Sequence, residues 1–191
     1  MLNHIGTTTI KTKRLTLRRF TPQDAEAMYS NWASDTRVAK FLTWLPHESI
    51  EVTKALLNDW CTHYDEKNYY NWLIEFEGQA IGNISVVRQS ERDRSCEIGY
   101  CIAWKHWGKG ITSEALKAVV DLLFSQVHMH RIVVENATEN PVSGFVAKKC
   151  GFTLEGIRKE AFLAFDGRWF DICHNAILES EWQEQNKHKP I

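Results

Sequence analysis

Apolar and polar positions in this chain repeat with two different periods, and the period switches several times. A two-residue alternation over Ile10 to Arg19 puts Leu15 and Leu17 on one side of a first strand. Thr21-Pro22-Gln23-Asp24 then reads as a helix start, with threonine as cap, proline in the first position and an acid in the third. A second helix is expected over Glu48 to Glu66, from the amphipathic spacing of Val52, Ala55, Leu56, Asp59 and Trp60. Trp72 to Phe76 and Ala80 to Val87 read as strands joined by a Glu77-Gly78 turn. The charged stretch Arg88 to Arg94 turns the chain into a strand over Ser95 to Ala103. Ile111 to Val127 is a helix lined on one side by Ile111, Ala115, Val119 and Leu122, and Arg131 to Glu135 is a short buried strand. Asn140 caps the next helix with Pro141 at its first position, and Gly151-Phe152 stops it. Two last strands flank Asp166-Gly167. The fold class is α/β, a mixed and mostly antiparallel central sheet with helices on both faces.

Composition adds bounds. With 191 residues, 43% of them hydrophobic and 25% charged, the chain can bury a proper core in one domain. That domain is expected to span residues 1–182, with Gln183 to Ile191 as a polar tail. The near-neutral balance of 23 Lys+Arg against 24 Asp+Glu gives no case for nucleic-acid binding. No apolar run approaches the roughly 20 residues that span a bilayer, and Met1-Leu2-Asn3-His4 lacks the regions of a signal peptide. Five cysteines without a paired motif favour reduced thiols and a cytoplasmic location.

The most informative stretch is Trp104-Lys105-His106-Trp107-Gly108-Lys109-Gly110-Ile111-Thr112-Ser113-Glu114-Ala115. It joins a strand end to a helix start through a basic, glycine-punctuated turn. Helix-start N–H groups lack intrahelical partners, and the helix dipole adds partial positive charge, so such a turn suits a phosphate or pyrophosphate. Gly108 and Gly110 let backbone approach an anion closely, and Lys105 and Lys109 can screen its charge.

Lys105 to Gly110 resembles the acyl-CoA pyrophosphate loop of the GNAT N-acetyltransferases, usually Arg/Gln-x-x-Gly-x-Gly/Ala. Asn140-Pro141-Val142-Ser143 and Lys149-Cys150-Gly151-Phe152 are similar to that family's Asn-x-x-Ser and Lys-x-Gly-Phe segments, in the same order and spacing. The wording Trp-Gly-Lys-Gly is most similar to the branch that contains the ribosomal-protein N-terminal acetyltransferases, and the resemblance runs from Thr12 to about Leu178. Lys105 departs from the usual arginine or glutamine, keeping the charge but not the planar donor fork.

The resemblance implies acetyl transfer from acetyl-CoA to an amine by direct attack in a ternary complex, without a metal. It implies that Ile102, Ala103 and Trp104 pair their backbone with pantetheine. Lys105 and the turn Trp107, Gly108, Lys109, Gly110, Ile111 and Thr112 would hold the pyrophosphate, and Asn140 would contact pantetheine. A backbone amide near Ile102 would polarise the thioester carbonyl. Glu97 is the first choice of base, on the strand face opposite Ile98 and Tyr100; the competing reading is a glutamate paired with Arg94 or Arg131. Glu114 is a weaker choice, because an acid in a first helical turn stabilises the helix anyway. The family's usual acid, a tyrosine, falls at Ala147 here, so Ser143 is the group expected at the departing thiolate; local helix capping is its other reading.

Other features read as structural. His128-Met129-His130 lacks the supporting ligands of a metal site, and Cys101 and Cys150 read as packing residues rather than nucleophiles. Trp32, Trp44, Trp60 and Trp72 either border an acceptor groove or pack the core. The expected acceptor is a protein N-terminus. A small amine (aminoglycoside, polyamine, amino acid or aminoacyl antibiotic) and a non-catalytic CoA-binding domain are the alternatives. Asp35, Glu48, Glu51 and Asp59 would suit any cationic acceptor. Homodimers occur among such proteins, but no two-fold surface is legible here.

Overall fold

A computed structural model describes residues 1–187. Eight strands form one sheet in the order β1-β2-β3-β4-β5-β6-β8-β7, antiparallel throughout except for the β5–β6 pair. The strands are β1 Ile10–Lys11, β2 Leu15–Arg18, β3 Asn71–Phe76, β4 Gln79–Ser90, β5 Ser95–Ile102, β6 Arg131–Ala137, β7 Thr153–Leu163 and β8 Trp169–Leu178. The helices are α1 Ala25–Met28, α2 Thr36–Ala39, α3 Ile50–Thr62, α4 Ile111–Leu122, α5 Pro141–Lys149 and α6 Glu179–Asn186. Short 3-10 and π turns extend α1 at both ends, and a π turn over Leu123–Val127 prolongs α4.

The alternation of β5 builds two cores. Cys96, Ile98 and Ile102 face α4 and α5, where Leu116, Val119, Val120, Phe124, Ile132 and Val134 are buried. Cys101 and Ala103 face the opposite side with Phe20, Trp32, Leu57, Leu73 and Ala80, under α1 and α3. Helices therefore cover both faces of the sheet, as the switching periods require.

Three local outcomes differ from the sequence reading. The expected first strand is a hairpin, because Thr12 Oγ1 accepts from the Leu15 N–H (2.9 Å) and closes a turn that side-chain alternation cannot reveal. β4 runs on to Ser90, since exposed Arg88 and Gln89 still pair with Glu97 and Cys96; charge does not end a strand whose outer face is wet. The stretch from Gln183 is helical to Asn186 as part of α6, whose Trp182 stacks on Phe124 and donates to Asp121 (2.6 Å). The last four residues of the polar tail lie outside the described residues.

The stop of α5 forms as the glycine predicts. Gly151 takes φ 90°, Phe152 N donates to Ala147 O (3.1 Å) and Gly151 N to Lys148 O (3.1 Å), and the Phe152 ring is buried.

β4 and β5 lie so close that a Cβ on Gly82 would sit 2.3 Å from Cys101 O and 2.9 Å from Ile102 Cα. Gly82→Ala should destabilise the fold by about 1–3 kcal/mol in denaturant unfolding, because backbone must move. Gly156→Ala, whose Cβ meets nothing within 4 Å, should stay within about 0.5 kcal/mol of the parent. Equal effects would refute the close packing.

Candidate active site

The parallel strands β5 and β6 pair at only three positions, Ser95 with Arg131, Cys96 with Ile132 and Glu97 with Val133. Both continue, β5 to Ile102 and β6 to Ala137, without pairing further, so they diverge into a fork. Ala103 N donates to Ile81 O (2.8 Å) in register with the Gly82–Ile102 pair. Antiparallel alternation then turns the backbone N–H and C=O of Tyr100 and Ile102 away from β4 and into the fork. Of these, Ile102 C=O accepts from the Trp107 indole (2.8 Å).

Two helices begin at this fork. Gly108 and Gly110 both take φ 72°, and Gly110 is the left-handed cap of α4. The backbone N–H groups of Gly108, Lys109, Gly110, Ile111, Thr112 and Ser113 meet no acceptor among the described residues. A Cβ on Gly108 would meet nothing within 4 Å, so this cradle is open. Arg14 and Lys149 reach the loop from outside the motif: Arg14 Nη2 and Lys149 Nζ lie 3.8 and 4.0 Å from where a Cβ on Gly110 would stand. Neither was singled out from the sequence as a loop cation, because one comes from the β1–β2 turn and the other from the end of α5.

Lys105 does not join them, since its ammonium donates to Asn31 Oδ1 (3.2 Å). His106 turns inward against Phe76, and burial, then Lys109 and Lys105, hold its imidazole below the ordinary histidine pKa. Trp104 is half-exposed beneath the Arg37 guanidinium, 4.0 Å from the ring centre.

α5 starts on the other side of the fork. Asn140 Oδ1 accepts from Ser143 N (3.4 Å), so Asn140 is the cap. The Ser143 hydroxyl does not cap its own helix; it lies 2.9 Å from the Tyr100 hydroxyl of β5. Beneath them Asn175 donates to Asn136 Oδ1 (3.0 Å), and Asn136 donates to Ala137 O (2.9 Å) and Asn140 O (3.2 Å). This buried amide pair anchors the loop into α5, and amides in strand interiors gave no sequence signal for it. Ala147 is fully buried against the core and offers no hydroxyl.

Glu97 sits where the fork opens, on the face opposite Tyr100. Its partner is Arg88 (Oε2 to Nη1, 2.9 Å), neither Arg94 nor Arg131. The β-bulge between Val86 and Arg88 sets that register, Arg94 turns to Glu179, and Arg131 pairs with Glu155. Burial, then the neighbouring Glu135 charge, raise the Glu97 pKa above the ordinary glutamate value, against the pull of Arg88. Glu135 is itself tied to Arg158 and to His174 Nδ1 (2.8 Å).

The remaining candidates are structural. Glu114 binds Thr12 Oγ1 (2.6 Å), Arg14 N (2.9 Å) and Arg14 Nε (2.6 Å), and so holds the β1–β2 turn and Arg14 against α4. Burial pushes the Cys101 thiol up to about 12 and the Cys150 thiol up to about 11, which makes both poor nucleophiles. Trp32 and Trp72 are fully buried, one in each core, and Trp44 and Trp60 are half-buried against the core that holds Trp32. Asp35 is committed to Arg37 and to the cap of α2. His128 is a left-handed helix cap and Met129 is buried between the two histidines. No group of three or more metal-holding side chains occurs among the described residues.

Comparison with known proteins gives the family. The acetyltransferase (GNAT) domain family matches residues 14–153. The chain belongs to the GNAT acetyltransferase family. It is 33% identical to the uncharacterized N-acetyltransferase YoaA of Bacillus subtilis over 172 residues, which cover 89% of this chain and 96% of that one. It is 35% identical to the ribosomal protein uS5 alanine N-acetyltransferase of Escherichia coli over 117 residues, covering 60% of this chain and 59% of that enzyme. The crystal structure of a GNAT-family acetyltransferase from Bacillus anthracis superimposes with a TM-score of 0.79 at 28% identity, covering 91% and 99% of the two chains. The chain is therefore an acyltransferase with the GNAT fold.

In this GNAT chain the Glu114 contacts make a pH prediction. Burial pushes the Glu114 pKa up, but the hydrogen bonds from Thr12 and Arg14 outweigh it and hold it below the ordinary value. A depressed carboxylate pKa stabilises the fold above the unfolded-state pKa, near 4.5, and that contribution fades as pH falls through the folded-state value. Glu114→Gln should therefore lower stability by about 1–3 kcal/mol at neutral pH, with the gap closing in acid. A gap that is constant with pH would contradict the ion pair.

Proposed function

We propose that this enzyme transfers the acetyl group of acetyl-CoA to the free amine at the start of a protein chain, by direct attack while both substrates are bound. The observation that carries the reading is the fork: two parallel strands that stop pairing after Glu97 and Val133, with two helix starts at its mouth.

The residues present fit acetyl-CoA. The free edge of β5 at Tyr100 and Ile102 offers peptide groups to the amide-bearing pantetheine arm, as an added strand would. The N–H groups of residues 108–113, with Arg14, Lys109 and Lys149 around them, match a pyrophosphate. The Ile102 N–H faces the fork, where it can donate a hydrogen bond to the thioester oxygen and stabilise the negative charge that develops there.

A terminal amine has a pKa near 8 and is mostly protonated at neutral pH. Glu97, with a raised pKa and a place at the fork, takes its proton directly or through water. The amine nitrogen then forms a bond to the acetyl carbon, the carbon–sulfur bond breaks with its electron pair going to sulfur, and the nitrogen releases its second proton through water, which carries it to the sulfur. Ser143 donates a hydrogen bond to that sulfur, and water completes its protonation. Alignment of the two substrates supplies much of the acceleration.

One observation favours a protein acceptor. The relative that acts on ribosomal protein uS5 shares 35% identity over its matched segment. Glu97 and Glu135 lie on the sheet face away from α4 and α5, where any cationic amine can approach, so they suit each acceptor class alike.

Thiol release from acetyl-CoA with alanyl- and seryl-starting peptides, spermidine and an aminoglycoside in parallel tests the acceptor. The peptides should give the highest kcat/KM, and a higher value with spermidine or the aminoglycoside would replace this acceptor class. With the best peptide, kcat/KM should rise with pH along a carboxylate limb lying above the ordinary glutamate pKa, and Glu97→Gln should remove that limb. An unchanged profile would return Glu97 to a purely structural role with Arg88.

A further inference from the structure

Tyr100 presents backbone to the fork and also reaches, with its side chain, Ser143, the group proposed above for the departing sulfur. Its ring packs on the core beneath α5. Its hydroxyl lies 2.9 Å from Ser143 Oγ, where either hydroxyl can be the donor, and 3.3 Å from Ser143 O, where only the phenol can donate; the Oγ contact is the shorter, and no other polar group among the described residues meets it. Ser143 Oγ has no other partner there, and Ser143 N is held by Asn140. Every polar atom of Ser143 is thus fixed by two residues.

A hydroxyl has one hydrogen to give. If Ser143 gives its hydrogen to Tyr100, whose own hydrogen then goes to Ser143 O, none remains for a sulfur. If Tyr100 gives its hydrogen to Ser143 Oγ, the serine hydrogen is left to point into the fork, and the accepted bond makes it a stronger donor. Burial raises the Tyr100 pKa well above the ordinary phenol value, so the phenol keeps its proton and acts as a donor rather than as the acid itself.

The geometry points to Tyr100 as a positioning residue for acetyl transfer: its hydroxyl donates to Ser143 Oγ and so directs the serine hydrogen onto the sulfur of CoA. This rests on the reading of Ser143 given above. No proton leaves Tyr100, and the sulfur gains a hydrogen bond from Ser143 as the carbon–sulfur bond breaks.

The test uses the whole chain with bound CoA and needs no acceptor. The thiol of bound CoA is titrated by thiolate absorbance, with the ligand-free protein titrated alongside and subtracted. In the wild type its pKa should lie below that of free CoA, because a hydrogen bond favours the thiolate. Tyr100→Phe should raise it by about one unit, a roughly tenfold loss in ionisation constant, with little change in CoA affinity. Ser143→Ala should raise it at least as far, and the double variant should match Ser143→Ala alone. If Ser143→Ala raises the pKa while Tyr100→Phe leaves it in place, or if the two shifts add, the positioning role is overturned and the Ser143 reading stands. If neither variant moves it, Ser143 is not at the sulfur, and both fall. Should Tyr100→Phe fail to fold, 3-fluorotyrosine at position 100 serves instead. Its more acidic hydroxyl should lower the thiol pKa, and an unchanged value would overturn the role.

Discussion

The structure depends on one interruption: β5 and β6 are hydrogen-bonded for three residue pairs and then part. Backbone polar groups in a sheet interior are almost always paired, so a central strand left with a free edge is an unusual arrangement. Here the free edge belongs to Tyr100 and Ile102, and it faces the space from which α4 and α5 begin. A ligand that enters this space meets strand peptide groups on one side and helix-start N–H groups on the other. The crevice beyond the carboxyl ends of parallel strands is a recurrent binding place in α/β proteins for the same geometric reason.

The interruption also separates opposite charges. Arg14 and Lys149 gather around Gly110, at the α4 end of the fork, and Arg14 also donates to the Lys109 carbonyl. Glu97 and Glu135 lie on the other face, where β5 and β6 are last paired. An anionic donor and a cationic acceptor can therefore approach from different sides and meet near Ile102. Both charge groups are held by neutral or paired partners. Glu114 fixes Arg14, Arg88 tempers Glu97, and the Asn136–Asn175 pair supports the α5 start.

Much of this was legible in the sequence, and the reasons are local. Gly108 and Gly110 are needed wherever φ is positive beside an anion cradle, Asn140-Pro141 announces a helix start, and Gly151-Phe152 announces its end. These signals depend on a few adjacent residues. What escaped depends on register or on distant pairs. The turn between Ile10 and Leu15 is closed by one threonine hydroxyl, which leaves the side-chain alternation unbroken. A one-residue bulge near Val87 decides that Glu97 meets Arg88. Arg14 arrives at the loop from about one hundred residues away (Arg14 to Lys109), and Tyr100 meets Ser143 only because its long side chain reaches from β5 to the start of α5. Helix α6 is polar around its whole circumference apart from Trp182, so no periodicity marked it. Trp32 and Trp72 were legible as aromatic weight, with groove and core both left open as their place.

The central claim is that the free edge of β5 is the seat of the pantetheine arm. Amide hydrogen exchange at Tyr100 and Ile102, with CoA or with ADP as ligand, tests it most directly, because ADP carries the pyrophosphate without that arm. CoA should slow exchange at Tyr100 and Ile102 and across residues 108–113, whereas ADP should slow it only in the loop. If CoA binds and leaves Tyr100 and Ile102 exchanging at the ligand-free rate, the fork is not where the donor lies.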